Sequence, residues 1–399
     1  MGEKMRSGLA GGLVLLAALA SLAPTVGAAD EAYEINAILP LTGGGAFLGQ
    51  SVRATMNVTE AALNARGGVH GKPLRFVYRD DQSTPQIAVQ LTNEIVAGKP
   101  AALIGSSLSA MCNAMAPLLK AGPVQYCLSP GIHPAEGSFT YTASVSARDY
   151  IEALLRYFSK RGWKRVAVLT TIDSSGQDAD KAIAEAVGLP DLGQVEIVAQ
   201  THMSPSDISV SAQLENMRAA QPEAYIVWAT GAAVATVFRG LAQAGVDAPV
   251  AASTSTMTIA QMTQYESFLP KQLYFATPEW LAGGDSAVID DPVVAERQRE
   301  YFRAMGAAGL KPDAASETAW DPLFVIAAAL NAIGPGANAG QLRAGMAGLK
   351  GFRGIDGAYD FTRAPQRGIG ISNTIVASWD SSLKNWRVVS RIGGAPLAQ

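Results

Sequence analysis

Short apolar runs, each broken by a turn rich in Ser, Thr, Asp or Gly and followed by a helical pattern, recur along the chain. Ile35–Leu39 leads into Pro40-Leu41-Thr42-Gly43-Gly44-Gly45 and a helix over Ser51–Ala65. Leu74–Tyr78 leads into Asp80, Asp81 and Gln82, and Thr84-Pro85 then opens a helix running to about Ala97. Ala101–Ile104 ends at Gly105, and Ser106, Ser107 and Ser109 precede a helical pattern in Met111, Met115, Leu118 and Leu119. Ser109 is expected to cap that helix by accepting from a first-turn amide. Gly122-Pro123 stops it, Val124–Leu128 is the next strand, and Ser129-Pro130-Gly131 turns the chain. Strand–helix alternation of this kind predicts a doubly wound parallel sheet. All strands then end on one edge, so the hydroxyl-rich turns converge where such folds hold ligands.

The pattern then starts again. A helix over Arg148–Arg161 precedes strand Val166–Thr171 and the turn Ile172-Asp173-Ser174-Ser175-Gly176-Gln177. Strand Val195–Ala199 follows, Asp207 is expected to cap a helix over Ile208–Ala220, and strand Ala224–Ala229 ends at Thr230-Gly231. Strand Pro249–Ala252 ends in Ser253-Thr254-Ser255-Thr256, and Leu273–Ala276 is the last strand of this half. Val293–Ala308, Glu317–Ile333 and Ala339–Leu349 read as amphipathic helices. Ile371–Trp379 and Trp386–Ile392, joined by Asp380-Ser381-Ser382, read as a β-hairpin. The expected fold is α/β, two doubly wound lobes joined by a three-crossing hinge near 143–147, 276–280 and 358–365. Residues 30–145 plus 277–360 form lobe 1, and 146–276 plus 361–399 form lobe 2. A cleft between such lobes is a natural trap for a small molecule.

Residues 1–29 have the pattern of a cleaved export signal: basic Lys4 and Arg6, apolar Leu9–Leu22, and small residues Val26-Gly27-Ala28. The apolar stretch is shorter than the ~20 residues a membrane-spanning helix needs. A periplasmic mature chain without membrane insertion is therefore expected. In an oxidising compartment the two cysteines, Cys112 and Cys127, are expected to form a disulfide. The formal net charge of −3, with no basic stripe, excludes a nucleic-acid partner. There is no GxSxG elbow for a hydrolase. His70, His133 and His202 are read as lying in unrelated loops, with no metal-type spacing. No cofactor and no catalytic residue is expected. The alternative from an enzyme class is a secreted Rossmann-type oxidoreductase, with Gly43, Gly45 and Gly49 approaching a pyrophosphate and Asp80 a ribose.

The segments PLTGGGAFLGQ, GGVHGKPLRFVYRDDQSTPQIAV, IGSSLSAMCNAMAPLLKAGPVQY, LSPG and RGWKRVAVL, in that order, resemble the periplasmic Leu/Ile/Val-binding protein family. That resemblance implies a type I substrate-binding protein of an ABC importer. Two hinged lobes would close on a small molecule and present it to permease subunits. It places ligand contacts at Ser107, Leu108 and Ser109, at Ser129, Gly131 and His133 after the following strand, and at Phe47 and Leu48 from the first loop. In lobe 2 it points to Asp173 and Ser175, with Ser175 standing where an aromatic is usual; Thr230 and Thr254, in the turns that end later strands, are further candidate contacts. Amino-acid binders of the family carry an acid after the strand equivalent to Pro249–Ala252, but this chain has Ser253-Thr254-Ser255-Thr256. A buried ammonium without a charged partner is costly. The expected ligand is therefore a carboxylate without an α-amine, aromatic or aliphatic, with Phe47, Trp228 and Trp280 as candidate apolar surface. A ligand-sensing subunit signalling to a receptor remains the alternative from a non-transport class.

Overall fold

The computed structural model describes residues 32–397. The expected export signal lies outside them. The first half is β1 (Tyr33–Leu39), α1 (Ala46–Asn64), β2 (Leu74–Asp80), α2 (Pro85–Ala97), β3 (Ala102–Gly105), α3 (Ser109–Met115), β4 (Val124–Cys127) and β5 (Thr140–Thr142). These strands form a five-stranded sheet in the order β2-β1-β3-β4-β5, with every neighbouring pair parallel. Ile35, Ala37 and Leu39 of β1 enter one core while Ile38 enters another. Burial on both faces explains why the strand reads as an unbroken apolar run rather than an alternating one.

The chain leaves this sheet at Ala143–Ser146. The Ser146 hydroxyl accepts from Asp149 N at 3.1 Å and starts α4 (Ala147–Lys160). There follow β6 (Arg165–Thr171), α5 (Ser174–Ala186), β7 (Glu196–Met203), α6 (Ser211–Ala219), β8 (Ala224–Trp228), α7 (Ala233–Gln243), β9 (Val250–Ala252), α8 (Ile259–Gln264) and β10 (Leu273–Pro278). Next come α9 (Pro292–Ala307), α10 (Ala314–Thr318), α11 (Asp321–Ile333) and α12 (Ala339–Ala347). A small ribbon of β11 (Lys350–Arg353) and β12 (Ala358–Asp360) and the hairpin β13 (Thr374–Asp380) and β14 (Asn385–Val388) complete the chain. The second sheet runs β14-β13-β10-β9-β8-β6-β7. Its β7-to-β10 portion is parallel, and β13 joins β10 antiparallel. The fold is a two-lobed α/β fold, one lobe around each sheet.

Arg367, on the segment returning from β12 to β13, ties the crossings together. Its half-buried guanidinium donates to the carbonyls of Ser144 (3.0 Å), Pro130 (3.2 Å) and Ile132 (2.8 Å).

Several expectations need correction. The helix expected over Glu317–Ile333 is two helices, because the chain bends at Ala319–Trp320 and restarts at Asp321-Pro322. Asp207 caps no helix: its carboxylate accepts from Ser204 N at 2.8 Å, α6 begins only at Ser211, and Ile208 is exposed. Ser109 is the first helical residue and not the cap, a position taken by Leu108. The first long helix starts at Ala46, earlier than Ser51. His202 lies in β7, not in a loop, and its ring pairs with Asp180 at 2.9 Å.

Candidate functional site

In each sheet the chain order reverses between two neighbours, β1/β3 in the first and β6/β8 in the second. Crevices at such reversals, beyond the carboxyl ends of the strands, are where open α/β sheets take ligands. Here the two crevices face each other and enclose one cavity of about 270 Å³. Lobe 1 supplies Gly44, Gly45, Leu48, Ser107, Ser109 and Ser129 among others; lobe 2 supplies Asp173, Ser175, Trp228, Thr230 and Thr254.

The turn after β3 is held by a glycine. Gly105 has φ +113°, and a Cβ there would stand 1.9 Å from the carbonyl oxygen of Ile38 on β1. Only the absence of a side chain lets β3 end this close to β1 and deliver Ser106–Ser109 to the cavity. Ser106 is spent on structure, its hydroxyl donating to Asp81 Oδ2 at 2.6 Å. Ser107 Oγ is buried and has no hydrogen-bond partner among the described residues. Ser109 Oγ and Ser129 Oγ share a hydrogen bond of 2.7 Å, joining the turn after β3 to the turn after β4. The Cys112–Cys127 disulfide, with Cα atoms 6.0 Å apart, fastens the same two elements just beneath.

Lobe 2 contributes differently. Asp173 caps α5, its Oδ1 accepting from Gly176 N at 3.0 Å and from Thr171 Oγ1 at 2.8 Å. Thr254 Oγ1 donates to Ala276 O at 2.7 Å, and Ser253 Oγ to Ala229 O at 2.8 Å, so both hydroxyls hold strand ends together. The first turns of α5 (Ser174, Ser175) and α7 (Ala233) face the cavity, bringing free amides and positive dipole ends to it.

Of the expected contacts, Leu48, Ser107, Leu108, Ser109, Ser129, Gly131, Asp173, Ser175, Thr230 and Thr254 line the cavity, as does Trp228. Three do not. Phe47 lies against Tyr265 of lobe 2, ring centroids 6.3 Å apart and edge to face, at the rim. His133 turns away and pairs with Asp178 of α5, and it borders a separate hollow with Phe139 and Arg343. Trp280 is fully buried among Tyr301 and Phe302, its indole donating to Thr277 Oγ1 at 2.8 Å. Sequence reasoning missed Ser144, Tyr150 and Glu317. They arrive from the first crossing, α4 and α10, remote segments with no ligand-type turn.

Glu317 is fully buried. Its Oε1 accepts from Ser144 Oγ at 2.7 Å, while Oε2 has no donor among the described residues. Burial pushes its carboxyl up to about 8. Asp80, the residue a dinucleotide would need, is already engaged: its carboxylate accepts from Leu41 N, Thr42 N, Gln82 N and Thr42 Oγ1. It staples the first loop, with three amides on Oδ1 and the Thr42 hydroxyl on Oδ2.

A family model described as periplasmic binding protein matches residues 33–384. The chain belongs to that family. Solved members share the fold at low identity. An extracellular ligand-binding receptor from Rhodopseudomonas palustris HaA2 is 20% identical with a TM-score of 0.78, covering 90% of this chain and 99% of the receptor. The branched-chain amino acid transporter substrate binding protein LivJ from Streptococcus pneumoniae, solved with isoleucine, is 18% identical with a TM-score of 0.73, covering 90% and 99%. A Leu/Ile/Val-binding protein homolog 2 from Brucella abortus is 33% identical over 57 residues, which is 14% of this chain and 15% of that protein.

Proposed function

We propose that this chain is a non-catalytic solute-binding protein that captures a small carboxylate between its lobes and hands it to the permease of an ABC importer. The lobes are taken as 30–145 plus 277–360 and 146–276 plus 361–399, with the export signal placing the mature chain in the periplasm. The observation that carries the reading is Ser107 Oγ, a buried hydroxyl without a partner among the described residues, in a cavity that both lobes close. Buried hydroxyls ordinarily find partners, and one left open in a cavity is a place kept for a ligand atom. Ser109, Ser129 and the amide ends of α5 and α7 add donors around it, the set that a carboxylate asks for. Leu48, Val52, Leu108, Met111, Leu128 and Trp228 give an apolar body somewhere to lie. The volume of about 270 Å³ falls just under the ~300–1,000 Å³ of small-molecule sites, which suits a metabolite of modest size.

An α-amino acid such as leucine or isoleucine is the second reading. Glu317 favours it, as an acid in the wall that comes from α10 and not from the turn after β9. Thermal unfolding with benzoate, phenylacetate, hexanoate, leucine and valine separates the two, because a ligand at about 100 times its Kd adds about 2.7 kcal/mol to stability. The acids are expected to raise the melting temperature. Tight binding of leucine or valine with no response to the acids overturns the carboxylate reading.

A further inference from the structure

Among the described residues, one ion pair joins the two lobes. His133 lies on the loop between β4 and β5 of the first sheet, and its ring pairs with Asp178 of α5, which follows β6 of the second. With the lobes bounded as above, every other ion pair among the described residues stays within one lobe. Both partners stand close to the cavity wall. Ser129, Pro130 and Gly131, just before His133, line it, as do Ser174 and Ser175, one turn before Asp178. A Cβ on Gly131 would stand 2.6 Å from Ser109 Oγ and 3.6 Å from Asp178 Oδ2, so the Asp178 carboxylate lies over the turn that carries Ser129.

The two groups differ in exposure. The Asp178 side chain is 10% exposed and its Oδ2 is buried without a donor among the described residues, whereas the His133 side chain is 55% exposed. The acid is set in the interface, and the imidazole reaches it from solvent, where it can take up or release a proton. An imidazole is the side chain whose charge ordinarily turns over between about pH 5 and 8. No fixed cation pairs with Asp178 among the described residues. The Arg367 guanidinium feels its charge but spends its hydrogen bonds on the carbonyls of Ser144, Pro130 and Ile132. Asp149 of α4, another acid facing Arg367, is taken up by the Ser146 cap. On α5 itself Asp173 caps the helix, Lys181 pairs with Glu185, and Asp180 with His202. Lys120 and Arg343 border the same hollow as His133 and oppose its proton, and Glu136 is the acid on its own loop.

We propose that His133 and Asp178 form the latch of the cleft: the protonated imidazole draws α5 onto the Ser129–Gly131 turn, so that His133 is a positioning residue for the closed form and ligand affinity rises as pH falls. The proposal rests on the reading of the cavity as a ligand trap that both lobes close. In the closed form the proton sits between an imidazole and a carboxylate; in an open form the same imidazole faces water. Closure therefore takes up a proton over the range in which a free imidazole loses it, and by linkage the closed, ligand-bound form gains from lower pH. An exposed pair of this kind gives a factor of about two to five, enough to tune the release of a ligand without deciding whether it binds.

Phenylacetate, ionised across this range, is the probe. Calorimetry on the whole mature protein should give a Kd about two- to fivefold lower at about pH 5.5 than at about pH 8, with proton uptake on binding between them. Buried carboxyls such as Glu279 titrate over the same range, so the comparison is between variants. His133→Gln, which keeps a hydrogen-bonding head but no charge, should show a shallower pH trend and lose that proton uptake. His133→Arg, whose charge pH does not remove, should bind about two- to fivefold more tightly than His133→Gln at about pH 8. In an Asp178→Asn background His133→Arg should gain nothing over His133→Gln. A pH trend in His133→Gln as steep as that of wild type, or equal affinities of His133→Arg and His133→Gln at about pH 8, overturns the proposal. If phenylacetate does not bind, the carboxylate reading is what fails, and small-angle scattering of the ligand-free protein decides the latch. At about pH 8 His133→Arg should then be more compact than His133→Gln, and equal radii of gyration overturn it.

Discussion

Glu279 shows how much one side chain can set the pH response. It follows β10, is buried, and has a single side-chain donor, Asn373 Nδ2 at 3.3 Å. Burial pushes its carboxyl up to about 7, with Asp291, Asp290 and Asp321 pushing the same way. A carboxyl raised in the folded state keeps a proton that the unfolded chain has already released. Its stabilising contribution is therefore complete below the unfolded value of 4.5 and is lost as pH rises through about 7. Glu317, at about 8, and Asp321, at about 6, act with the same sign. Unfolding free energy from denaturant titration should decline from about pH 5 to about pH 8. Glu279→Gln, which has no proton to lose, should flatten that decline by up to about 3 kcal/mol. An unchanged slope in the variant would show that the Glu279 carboxyl is open to water.

Among the elements, α3 and β4 form the unit on which the serine pole depends. The disulfide closes a loop with a sequence separation of 15, and both sulfurs lie in a small core with Ile132. Opening it should cost about 3 kcal/mol in the chain-entropy view. The double variant Cys112→Ser/Cys127→Ser should lose about that much by denaturant unfolding, and also acid affinity, because Ser107–Ser109 and Ser129 are then joined by hydrogen bonds alone. Full affinity in the double variant would show that the hydrogen bonds suffice. The strand-then-hydroxyl-turn pattern was legible because the central parallel strands β3, β4, β8 and β9 are buried throughout, so their apolar runs must stop abruptly at the turns. The break between α10 and α11 was less so. Ala319 and Trp320 suit a helix, and the one local sign was Pro322, which fits only a first turn. Ser109 pointed to a cap, but its partner is twenty residues away on another turn. Phe47 has the composition of a ligand-stacking residue, yet Tyr265 from the far lobe claims its ring. Glu317 carried no local signal: its place in the wall follows from α10 packing against α1 and the turn after β9, a tertiary fact.

For the molecule as a whole, the question is what stops the lobes when they close. Among the described residues, the contacts between the lobes include His133 with Asp178, Phe47 with Tyr265, and the first loop of lobe 1 with the turn after β8. The last has no room. Gly231 has φ +61°, and a Cβ on it would lie 2.4 Å from Gly44 O. That distance is well inside contact, and the obstacle is backbone, which cannot swing aside. Gly231→Ala should therefore fold with a loss of only about 1–2 kcal/mol, the usual cost of a left-handed non-glycine residue. It should nevertheless hold the lobes short of the closed position. If closure is what shields the serine pole from water, phenylacetate affinity should fall at least about tenfold, since donors that stay hydrated gain little from a ligand. Small-angle scattering should then show wild type contracting at saturating phenylacetate and the variant contracting less. A variant that binds and contracts as wild type does would mean that Gly44 and Gly231 separate when ligand enters. The rim would then close on the aromatic and His–Asp contacts alone.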